Sequence, residues 1–156
     1  RPPQGTSLAR LSLAKFSHVT TTMNHRGPLN WGHIIGNNDL IAIFERSHVT
    51  GSMSDGLILK ILRFRDIIEE LNLSFLAIDA ANDPTKTSQT SASKPLFAVV
   101  VKLPCLAVKY PRGSMVRIRR FQIKFTVEKD YYAALAILSE LNLPFSEAGP
   151  APMRKQ

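Results

Sequence analysis

The residues with the clearest chemical potential are cations. In "RGSMVRIRRFQIKF" (112–125), Arg112, Arg117, Arg119, Arg120 and Lys124 crowd one apolar segment, and Lys109 lies just before it. No acid occurs between Asp83 and Glu128. Arginine's planar fork suits phosphates and carboxylates, so these six residues are the candidate contacts to DNA or to an acidic protein segment. The alternative is plain solvation, since the outer face of a strand must be polar in any case. The rest of the chain offers little for catalysis. It holds no nucleophile elbow, no Walker-type loop and no glycine fingerprint. His18, His25, His33 and His48 are scattered, and Cys105 has no second thiol, so no metal-ligand spacing arises and no cofactor is implied. Cys105 reads as a small buried residue, Glu69-Glu70 as a solvated patch, and Trp31 as cover for one edge of a core. Ser88-Gln89, in a Ser/Thr-rich stretch, is a candidate phosphosite of the kind that checkpoint kinases prefer.

The net charge of +8 and a pI near 10.0 point to an acidic partner. No apolar run reaches the ~20 residues of a membrane span, and a single cysteine suits a reducing compartment; the expectation is a nuclear or cytosolic protein with no membrane partner.

Most apolar segments have strand character: "LARLSLAKF" (8–16), "LIAIFER" (40–46), "LILKILRF" (57–64), "LSFLAID" (73–79), "LFAVVVKL" (96–103), "CLAVKY" (105–110) and "VRIRRFQIKFTV" (116–127). "RDIIEEL" fits a helical turn or a strand. Residues 23–39 read as loop and turn. In the last strand, Val116 and Ile118 fall on one parity and Phe121, Ile123 and Phe125 on the other. A bulge at Arg119-Arg120 would restore the phase, leaving Arg117, Gln122, Lys124, Thr126 and one or both of those arginines outside. The pattern then changes period, with Tyr131, Ala134, Leu135, Leu138 and Leu141 on one face of a helix that Asn142 and Pro144 end.

About seven strands followed by one amphipathic helix predict an α+β, mainly β fold. The specific expectation is a pleckstrin-homology-like bent antiparallel β-sandwich capped by a C-terminal helix. The expected organisation is a tail at 1–7, one domain at 8–145 with a flexible loop at 81–95, and the start of a disordered linker at 146–156. Both ends read as tails, as in a domain excised from a longer protein.

"GLILKIL", "LSFLAI", "CLAVKY", "RRFQIKF" and "YYAALAIL", in this order, resemble the meiotic recombination accessory family called Rec one-fourteen. The core of the likeness is Arg120-Phe121-x-Ile123-x-Phe125 running into an Ala/Leu helix. The resemblance implies a pleckstrin-homology-like N-terminal domain acting as a non-enzymatic scaffold in meiotic double-strand break formation. Its implied partners are the Mei-four and Mer-two type accessories and the topoisomerase-like core complex, on chromosomes in the nucleus. It carries no individual binding residue over, because the matched positions are core positions. The competing expectations are a phosphoinositide-binding pleckstrin-homology domain and a standalone nucleic-acid-binding module. The first is disfavoured by the sparse basic residues early in the chain, where Arg10, Lys15 and Arg26 stand apart.

Overall fold

The computed structural model describes residues 6–47, 56–81, 96–113 and 117–148. Nine strands and two helices follow in the order β1 (Thr6–Thr22), β2 (Gly32–Ile35), β3 (Leu40–Ser47), β4 (Gly56–Arg63), β5 (Asp66–Asn72), α1 (Leu73–Ala81), β6 (Ala98–Lys102), β7 (Cys105–Arg112), β8 (Arg117–Phe125), α2 (Glu128–Glu140) and β9 (Ser146–Glu147). The strand order is β5-β4-β3-β1-β8-β7-β6-β9, with β2 pairing beside β1. The fold is therefore mainly β, as expected, but with nine strands rather than about seven and two helices rather than one. The sheet is open rather than closed, and β9 joins β6 in parallel.

One long strand links the two halves. The first half of β1 pairs with β3, its second half pairs with β2, and β8 runs along its other edge from Leu13 to Thr22. The β1–β8 register slips between Leu13 and Lys15, placing the irregularity in β1 rather than at Arg119-Arg120, where β8 runs in unbroken register with both neighbours. At that slip the backbone of Gly36 comes so close that an added Cβ would stand 2.2 Å from the Leu13 carbonyl oxygen, and the Gly36 N–H donates to the Ala14 carbonyl at 2.8 Å. The close approach needs glycine, and it helps to turn the expected loop at 32–35 into strand β2.

"LSFLAID" is a helix, α1, not a strand. The Asn72 side chain accepts from the Phe75 N–H at 2.9 Å, an N-cap at the end of β5. The Ser74 hydroxyl oxygen accepts from the Leu57 N–H, tying the first turn to β4. Leu73 is fully buried, and Leu76, Ala77 and Ala80 pack on the core. "RDIIEEL" resolves to strand β5, whose register slips between Ile61 and Leu62 of β4 so that Ile67 turns outward while Glu69 and Leu71 turn inward.

The core joins Phe16, Phe44, Leu57, Leu59, Ile61, Leu106, Phe121, Ile123 and Phe125. Helix α2 adds Tyr131, Ala134, Ile137 and Leu138, and Phe125 meets the Tyr131 ring edge-on. It carries Glu128 and Asp130 in its first turn, favourable to the helix dipole. It ends as expected: Asn142 takes φ +56° and the Leu143 N–H donates back to the Leu138 carbonyl.

Candidate functional site

Partners across a ladder share a face, so the registers sort the candidate cations. Phe121, Ile123 and Phe125 are buried, as the alternation requires. Arg117 and Arg119 share their parity, whereas Ile118, Arg120, Gln122 and Lys124 point the other way. Arg120 pairs with Lys109 and with Val19; Lys124 pairs with Lys15 and with Cys105. Arg120 and Lys124 thus stand on the outer face of the sheet, beside other cations. Arg117 pairs with Arg112 and Thr22 at the far end of the inner face, where both arginines are exposed. Ile118 is buried on the outer side rather than in the main core, so the proposed rephasing at Arg119-Arg120 is replaced by ordinary alternation. Cys105 is half-buried on the outer face, not a core residue, and Trp31 is exposed at the start of β2. Ser88 lies outside the described residues.

Arg119 has a different setting. It shares the inner face with the buried Phe121, and its guanidinium reaches Glu69 on β5, at one end of the strand order. Nη2 donates to Glu69 Oε1 at 2.7 Å, and Nε lies at 3.2 Å from the same oxygen. Glu69 is one of two buried polar residues in the described core, and its second oxygen accepts the Tyr110 hydroxyl at 2.5 Å. Arg119 Nη1 donates to Thr20 Oγ1 at 3.1 Å and stands 3.3 Å from His18 Nδ1. Glu69 is therefore a partner that bridges β5 to β7 and β8, not part of a solvated patch. Sequence reasoning missed it because its partners stand 41 and 50 positions away. The register slip in β5 is what turns it inward.

This cluster sets the local electrostatics. Burial of the His18 ring, with Arg119 beside it, lowers its pKa from the usual 6.5 and leaves a neutral imidazole able to accept from the guanidinium. Burial and the hydrogen bond to Glu69 push the Tyr110 phenol upward, so it remains a donor. The His18 ring stacks on Phe16 with centroids 5.3 Å apart, and Gly32 lies opposite it; a Cβ there would stand 2.9 Å from His18 Nε2. Beside the cluster opens a polar cleft of about 520 Å³, lined by Thr20, Thr22, His25, Asn30 and Arg119 among others.

The described residues hold no group of three or more His, Cys, Asp or Glu placed to bind a metal, and no helix long and apolar enough to cross a membrane. The domain thus combines a buried ion pair with a cationic exterior, and the comparison with protein families gives it a context. The chain matches the family described as the meiotic recombination protein Rec7 N-terminal domain over residues 7–151. It belongs to this family, the Rec one-fourteen family that the sequence resembles. No curated protein matches the chain. Membership gives this domain a role in meiotic recombination, within a family of accessory proteins rather than a known enzyme family.

Proposed function

We propose that the chain is a non-enzymatic docking domain of a protein that supports meiotic double-strand break formation. It acts on chromosomes in the nucleus, alongside Mei-four and Mer-two type accessories and the topoisomerase-like core complex. The observation that carries this reading is the family match across almost the whole chain. The long β1 strand, the two halves of the sheet it joins and the C-terminal helix on the core fit a pleckstrin-homology-like domain, a scaffold that presents faces rather than an active site. The domain takes in 8–145; of the expected loop and linker, Ala81 ends α1 and Ser146–Glu147 form β9, while 82–95 and 149–156 lie outside the described residues.

Among the candidate contacts, Lys109, Arg120 and Lys124 form the contact surface on the outer face, and Arg112 and Arg117 add exposed charge at the end of the inner face. Arg119 holds the sandwich together instead. Three like-charged pairs stand directly opposite in the ladders, Lys109 with Arg120, Arg112 with Arg117 and Lys15 with Lys124. Such pairs cost stability, so their presence fits a surface that an anionic partner neutralises. Phosphorylation of Ser88 would add negative charge to a chain rich in such cations.

The test is affinity capture from meiotic extract, with the wild-type domain and an unfolded Phe121→Asp variant as baits. Break-machinery proteins should be recovered by the wild type alone. Recovery of membrane-trafficking proteins, or of the same set by both baits, would overturn the reading.

A further inference from the structure

The outer face of the β1-β8-β7-β6 half of the sheet assembles cations that sequence distance conceals. Lys15 of β1 stands beside Lys124 of β8; Lys124 stands beside Cys105 of β7, and Cys105 beside Lys102 of β6. One row across the strands therefore carries three lysines from residues 15, 102 and 124. Two steps along β8 on the same face, Arg120 faces Lys109 and forms a second row. At ~3.3 Å per residue the rows are ~13 Å apart, and neighbouring strands are ~5 Å apart. Between them stand Ser17, Gln122, Ala107 and Val100, with no acid. Among the described residues, Lys15, Lys102, Arg120 and Lys124 have no carboxylate within ion-pair distance; Arg120 donates only to Thr21 Oγ1, at 3.2 Å.

We propose that this face, through Lys15, Lys102, Arg120 and Lys124, binds the phosphate backbone of duplex DNA without regard to sequence. The chemistry of the face decides between polyanions. The cations are mostly lysines, point charges on flexible stems, and they need only meet phosphates. Among the described residues of the row between them, the one ring is His33, held at 2.7 Å by the Ser17 hydroxyl, and no Phe, Tyr or Trp stands there to stack on the bases of a single strand. A peptide partner needs anchor side chains in pockets, and the two described cavities, of about 520 and 270 Å³, are lined by other residues. A protein working in recombination also meets duplex DNA as its most abundant polyanion. The inference extends the docking reading, yet it concerns the domain's own affinity and is tested without any partner.

The test is fluorescence anisotropy of a labelled random-sequence duplex, with the purified chain and a salt series. Four phosphate contacts at about 0.9 each predict a slope of log K against log salt near −3.6, roughly a 150-fold loss of affinity between 50 and 200 mM. The Lys15→Gln/Lys102→Gln/Lys124→Gln variant should flatten the slope by about 2.7, and the three Lys→Arg changes should keep it. A control of equal charge, Arg10→Gln/Arg65→Gln/Lys129→Gln, removes exposed cations elsewhere and should leave the slope near its wild-type value. Equal losses in both Gln triples would mean that net charge alone attracts DNA, and would overturn the site. So would a flat wild-type salt series, tighter binding to poly-glutamate, or tighter binding to phosphatidylserine vesicles of matched charge. Failure of this assay leaves capture of break-machinery proteins intact, so the two readings fail separately.

Discussion

Glu69 and Arg119 show how two residues of opposite sequence reputation can exchange roles. Arg119 sits in the most basic stretch of the chain, yet its side chain is 11% exposed and is committed to a carboxylate that is 3% exposed. Removing one member of such a pair leaves a buried charge uncompensated. Arg119→Met should therefore cost about 3–5 kcal/mol, measured by urea unfolding, whereas Arg117→Glu at the exposed end of the same strand should change stability by less than about 0.5 kcal/mol. Replacing both Arg119 and Glu69 with apolar residues should recover much of the loss, because no charge is then stranded. His18 adds a pH dependence of definite sign. Its folded pKa lies below 6.5, so the unfolded chain binds more protons in the interval between the two values, and stability falls as pH drops through that interval. Comparing melting temperatures at pH 7 and pH 5 should show a larger drop for the wild type than for His18→Gln. The sequence made the basic stretch plain, but not which arginine was spent internally. That depended on a β5 register slip, which no local pattern records.

At the scale of elements, strong alternation was readable and weak alternation was not. Strand β8 and helix α2 carry their own period: Phe121, Ile123 and Phe125 in one, Tyr131, Ala134 and Leu138 in the other, and both sets are buried. Phe121→Ala should cost about 3–5 kcal/mol by the same unfolding measurement, since its ring is wholly enclosed among Phe16, Tyr110 and the core aliphatics. Helix α1 was misread because "LSFLAID" is apolar on nearly every side; Phe75 and Ile78 are exposed and Leu73 is buried. Its conformation is fixed by the Asn72 cap and by packing on β4, neither of which appears as periodicity. Asn72→Ala should destabilise the domain by about 1 kcal/mol, and Asn72→Asp by less, because aspartate retains the accepting oxygen. A cap that contributes nothing would leave the urea midpoint of Asn72→Ala unchanged.

For the whole molecule, composition pointed to an acidic partner and element order to a mainly β sandwich with a closing helix. Neither could supply the strand order, because β1 must be seen to pair with β2, β3 and β8 before Lys15 is found beside Lys124. That neighbour relation converts scattered lysines into a face and separates it from the inner cluster around Arg119. We propose that this folded domain is needed where meiotic recombination begins. This claim is tested most directly by counting meiotic double-strand breaks in cells whose only copy of the full protein carries Phe121→Asp, with protein abundance matched to wild type. Breaks should fall to a small fraction of the wild-type number. Breaks at the wild-type level, with the variant domain shown to be unfolded, would contradict it.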